Sequence, residues 1–115
     1  MKLSRLLVAG ALVASIGATA AFASYNKGFK YYSRYIYRTS HVRSTVILQN
    51  LGIQLPSQLK PLFKDNAKPL IEKLNKAGYK KVAKGVEQIA RRHKLKDLED
   101  FLIGILNGKI PASCG

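Results

Sequence analysis

Between Tyr25 and Arg38 the chain reads YNKGFKYYSRYIYR, which places five of its six tyrosines and four basic residues in fourteen positions. Ammonium and guanidinium groups beside aromatic rings are the residue types that hold anions. The cation pairs with phosphate or carboxylate, and the ring stacks or sits at an interface. A second basic run follows at Lys80, Lys81, Lys84, Arg91, Arg92, Lys94 and Lys96, and from Ser24 to Lys64 there are seven Lys or Arg residues and no acid. Other chemistries fare worse. General acid–base work needs two carboxylates with separated pKa values. The clustered acids Asp97, Glu99 and Asp100 are instead expected to serve a helix start. There is no GxSxG elbow and no GxxxxGKS phosphate loop, and Cys114 stands in a terminal tail. His41 lies in a polar stretch and His93 in RRHK, where neighbouring positive charge opposes both protonation and metal binding. Covalent haem needs Cys-x-x-Cys-His, which is absent, and Met1 is the only methionine. No catalytic residue, metal ligand or cofactor is therefore expected.

The elements that must carry these residues read as helices. Tyr25, Phe29, Tyr32 and Ile36 fall on one face of a helical wheel, and Lys27, Lys30, Arg34 and Arg38 fall on the opposite face. The spacing predicts an aromatic stripe inward and a basic stripe outward, with Tyr31, Tyr35 and Tyr37 along the borders. RTSHVRST reads as a connection, VILQNLG as a short helix stopped at Gly52, and Pro56-Ser57 as the next start, which brings Leu59, Leu62 and Phe63 to one side. Asp65-Asn66 is expected to cap a helix that turns Leu70, Ile71, Leu74 and Ala77 inward and ends at Gly78. The following helix has Val82, Val86, Ile89 and Ala90 on its inner face. Gly85 is a liability inside it, at about 1 kcal/mol relative to alanine. In the last helix Asp97 and Asp100 resemble a capping box, Leu98, Phe101, Leu102, Ile105 and Leu106 form the buried face, and Asn107-Gly108 ends it. The expected fold is all-α, a compact bundle of four to six short helices.

Lys2 and Arg5 precede the apolar run LLVAGALVASIGATAAF, which closes on Ala21-Phe22-Ala23, a small-x-small pattern. This reads as a signal peptide over residues 1–23, cleaved after Ala23, and predicts a periplasmic or secreted protein. The remaining 24–115 form one domain with a short C-terminal tail, 109–115, and carry 18 basic against 6 acidic residues. One cysteine cannot make an internal bridge. In an oxidising compartment Cys114 either stays free or links two copies into a disulfide-bonded homodimer.

The segments NKGFKYYSRYI, LKPLFKDNAKPLIEKL and LKDLEDFLIGILNGKIPASCG resemble a group of short, basic periplasmic proteins, mostly uncharacterised and sometimes labelled cytochrome-like. That resemblance implies a second cysteine soon after the first helix, able to pair with the terminal one. This sequence has none between Ser24 and Ser113, so Cys114 would be what remains of a lost bridge. The leading expectation is a non-enzymatic exported protein that binds an anionic surface or an acidic partner protein through Lys27, Lys30, Arg34, Arg38, Lys80, Lys81, Lys84, Arg91 and Arg92. Envelope polyanions such as anionic lipid or lipopolysaccharide phosphate fit that compartment, and no specific nucleic acid is expected. The alternative from another class is an electron-transfer accessory or degenerate cytochrome-like protein.

Overall fold

Apolar residues recur at helical spacing along the chain, and the computed structural model, which describes residues 23–108, turns that spacing into an all-α bundle with no strand among the described residues. Helix α1 occupies residues 23–40, α2 Ser44–Asn50, α3 Pro56–Leu59 with a 3₁₀ turn Lys60–Phe63, α4 Lys64–Lys76, α5 Lys80–Arg91 and α6 Leu95–Leu106. Residues 1–22 of the expected signal peptide 1–23, and residues 109–115 of the expected tail with Cys114, lie outside the described residues.

The core gathers Tyr32 and Ile36 from α1, Ile47 and Leu48 from α2, Leu59, Leu70 and Leu74, Val82, Val86 and Ile89 from α5, and Leu98, Phe101 and Leu102 from α6. Phe101 is its largest fully buried side chain and takes the edges or faces of Tyr25, Phe29 and Tyr32 at 5.6–6.3 Å. Aromatic pairs at these separations add to area burial. A small hollow of about 20 Å³ in the core is lined by Tyr32 and aliphatic side chains.

Glycine decides how closely the helices meet. A methyl group on Gly28 would stand 2.0 Å from the Asp97 carbonyl oxygen, and one on Gly85 would stand 2.4 Å from the Tyr35 carbonyl oxygen. Thus α6 lies directly on the backbone of α1 near Gly28, and α5 on it near Tyr35 and Ile36. Gly85 is the contact surface of α5, which explains a glycine in the middle of a helix. The packing also corrects the inward stripe. Because the close approach centres α1 on Gly28, Phe29 is turned to the edge and remains 37% exposed, while Tyr32 and Ile36 are buried as the wheel predicts.

Within α1 the segment Tyr32–Tyr37 is a π-helix, whose backbone hydrogen bonds reach one residue further along the chain than those of the α-helix. Its loosened carbonyls are taken up locally: Ser40 donates to the Ile36 oxygen at 2.6 Å and Thr39 to the same oxygen at 3.2 Å. The helix therefore reaches Ser40, and the connection shrinks to 41–43 instead of spanning RTSHVRST. Tyr32 donates its hydroxyl to the Val42 carbonyl at 2.6 Å, pinning that corner, and burial pushes the phenol well above its ordinary pKa.

Two expected caps are absent. Asp65, Asn66 and Ala67 form a left-handed turn, with φ of 52°, 56° and 62°, and no side chain caps the helix there. The right-handed part of α4 starts beyond Ala67, with Pro69 in its first turn, where a missing N–H costs nothing. Ala77 follows the last turn and is exposed, not inward. In α6 the N-cap is Lys94, which places Asp97 and Asp100 inside the helix, facing α1. Elsewhere the stops match the pattern: Gly52, Gly78 and Gly108 all have positive φ, and Gln58 folds its side-chain oxygen back onto the Gln54 and Leu55 amides at the start of α3.

Candidate anion-binding face

The outer side of α1 carries Lys27, Lys30, Arg34 and Arg38, all exposed and without an acidic partner among the described residues. Lys30, Arg34 and Arg38 stand four apart, which stacks them in one row along the helix. Phe29 and Ser33 occupy the neighbouring row. Together these five residues line a shallow, open hollow of about 350 Å³.

The second basic tract belongs to α5. Lys80, Lys81, Lys84 and Arg91 are exposed on it, and Arg92 is exposed in the turn that follows. The helices run in opposite directions, since Ser40 and Val42 share a hollow with Lys80 and Lys81, while Gly85 meets Tyr35 and Ile36. The tracts join through aromatic rings. The Arg92 guanidinium lies 4.8 Å from the centre of the Tyr35 ring, and Tyr35 stacks on Tyr31 at 6.3 Å and 21°. Arg43 similarly lies 5.9 Å from the Tyr37 ring, whose edge meets His41. The tyrosines at the borders of α1 thus position cations from other elements, an arrangement in which the guanidinium keeps its charge available.

The acidic trio is the counterpart. The Ser24 hydroxyl lies 2.7 Å from both Asp97 Oδ1 and Asp100 Oδ2 and ties the start of α1 to α6. Lys96 sits on the same cluster, 3.0 Å from Asp100 and 3.9 Å from Glu99. The hydrogen bond to Asp100 holds its ammonium above the ordinary value, with the neighbouring carboxylates adding to it. Lys96 is therefore internally paired and drops out of the basic run that the sequence suggests. His41 and His93 are both exposed at left-handed positions that end helices, with φ of 58° in each. Among the described residues no three His, Cys, Asp or Glu side chains group so as to hold a metal ion, and no helix is long and apolar enough to cross a membrane.

Sequence reasoning placed the cations correctly on the outer face but missed the contacts that join them. The pairing of Arg92 with Tyr35 depends on the crossing of α1 and α5, and only Gly85, read as a liability, signalled a close approach. No protein-family model matches the chain, no curated protein matches it, and no solved structure matches it. The resemblance to short periplasmic proteins gains no support from these comparisons.

Proposed function

We propose that this protein is a non-enzymatic binder of an anionic surface or an acidic partner protein, acting through the outer face of α1 and the basic tract of α5. The observation that carries the reading is the row Lys30, Arg34 and Arg38: three cations at hydrogen-bonding reach of solvent, unneutralised by any described acid and set on a rigid helix. Of the six acids, Asp97, Glu99 and Asp100 are grouped on α6 and engaged by Ser24 and Lys96, and Asp65, Glu72 and Glu87 form no ion pair with these cations among the described residues. Such a surface attracts polyanions by releasing their counterions, so affinity falls steeply with salt. Export to the cell envelope would make anionic lipid, lipopolysaccharide phosphate or an acidic protein the available partners.

The test is the quadruple substitution of Lys27, Lys30, Arg34 and Arg38 by glutamine. None of these side chains is buried, so the melting temperature should hold, because surface changes of this kind stay within about 0.5 kcal/mol. Binding to polyphosphate should weaken, and the salt dependence should become shallower by about one unit of slope for each phosphate contact removed. Parent-like affinity of the variant at every salt concentration overturns the proposal.

A further inference from the structure

The exposed side of α1 is not uniformly basic. Phe29 and Tyr37, eight residues apart with Ser33 midway, are among the large apolar side chains left open to solvent, at 37% and 36% exposure. Their row runs directly beside the row of Lys30, Arg34 and Arg38. Phe29 is held in this position by an edge contact with Phe101 at 5.6 Å, and the Gly28 approach to α6 prevents it from turning inward. Tyr37 is held by His41 and Arg43. A soluble polyanion has no use for two fixed aromatic edges. A surface that presents phosphates over an apolar interior uses both rows at once, the cations at the phosphates and the rings just beneath them.

We propose that the outer face of α1 is a peripheral contact for an anionic phospholipid surface, with Phe29 and Tyr37 entering the interface and Lys30, Arg34 and Arg38 holding headgroup phosphates. The inference rests on the anion-binding reading above and names its partner. The helix lies along the surface and does not cross it. Its buried side, Tyr32 and Ile36, stays in the core, so binding does not require the bundle to open.

The chain contains no tryptophan, so a single indole reports on one place. Phe29→Trp is made in the protein as expressing cells deliver it. The variant is titrated with vesicles of phosphatidylglycerol and phosphatidylcholine, with pure phosphatidylcholine vesicles, and with soluble polyphosphate. The expected result is a blue-shifted emission with the anionic vesicles alone, and binding no weaker than the parent's. The paired substitution Phe29→Ser with Tyr37→Ser, checked for fold by circular dichroism, should weaken binding to the anionic vesicles about tenfold more than it weakens binding to polyphosphate. Lys30→Gln, Arg34→Gln and Arg38→Gln together should weaken vesicle binding about a hundredfold, near fivefold for each charge, and reduce polyphosphate binding as well. An indole that stays in water on anionic vesicles overturns the membrane contact while the anion-binding reading stands. So does a serine pair that binds these vesicles like the parent. A triple glutamine variant that binds both probes like the parent overturns both.

Discussion

Replacing Gly85 by alanine sets two parts of the physics against each other. Helix propensity alone predicts that the change stabilises the protein by about 1 kcal/mol, because alanine loses less backbone freedom on folding. The structure reverses the sign. The new methyl would stand 2.4 Å from the Tyr35 carbonyl oxygen, 2.6 Å from Ile36 Cγ1 and 3.0 Å from the Tyr35 carbonyl carbon, whereas ordinary contact begins at 3.4 Å. Two of these three atoms are backbone and cannot rotate away, so α1 and α5 must part by about 1 Å. A gap of that size forfeits a quarter to a half of the dispersion energy at the facing surfaces, here those of Ile36, Val82, Val86 and Ile89. Overpacking of this kind costs about 1–3 kcal/mol, and the propensity gain offsets part of it. The expected net loss is about 0–2 kcal/mol, a fall in Tm of up to roughly 16 °C for a domain of this size. Thermal unfolding followed by circular dichroism measures it, with the exposed neighbour Lys84→Ala as the control that should move little. A Gly85→Ala protein that melts higher than the parent refutes the close crossing of α1 and α5.

Phe101→Ala removes the ring that Tyr25, Phe29 and Tyr32 share, and should cost about 3–5 kcal/mol in denaturant unfolding, enough to unfold much of a marginal domain. Tyr32 supplies a pH prediction. Its phenol is raised in the fold, so its contribution to stability is complete below the unfolded value near pH 10 and is lost as pH climbs above it, where the unfolded chain gives up the proton and the folded chain keeps it. Alkaline melting curves of Tyr32→Phe should show a shallower decline, at the cost of about 0.5–1.5 kcal/mol at neutral pH for the lost bond to Val42. Asn66→Val should destabilise by about 1–2 kcal/mol in the same unfolding assay, although the residue is exposed, because a β-branched side chain resists the left-handed turn.

What the sequence made legible follows the reach of local rules. The cores of α5 and α6 could be read from Val82, Val86, Ile89, Leu98, Phe101 and Leu102, since helical periodicity is a property of neighbours along the chain. The stops at Gly52, Gly78 and Gly108 were equally local. Phe29 was misplaced because its orientation depends on Gly28 meeting the Asp97 carbonyl, a contact between residues far apart in sequence. Asp97 and Asp100 had the spacing of a cap, but their partner is the Ser24 hydroxyl at the start of α1, more than seventy residues away in sequence. For Asp65-Asn66 the residue types were right and the conformation was not: both tolerate the left-handed region, and both adopt it rather than capping. The basic row was legible because unpaired charge must face water. Its junction with Arg92 was not, because that junction is made by the crossing of two helices.

The contacts of α1 also set the order in which this protein can be assembled. Gly28 rests on Asp97, Phe29 and Tyr32 on Phe101, and Ser24 on Asp97 and Asp100. Each pair closes a loop of some seventy residues, and such long-range closures are entropically late steps. A ribosome delivers α1 first and α6 last, so the aromatic helix that begins the domain waits through most of synthesis without a surface to bury against. Folding can finish only once almost the whole chain has emerged. Until then the nascent protein offers an unsheltered run of tyrosines to chaperones, and a chain cut before α6 never shelters them.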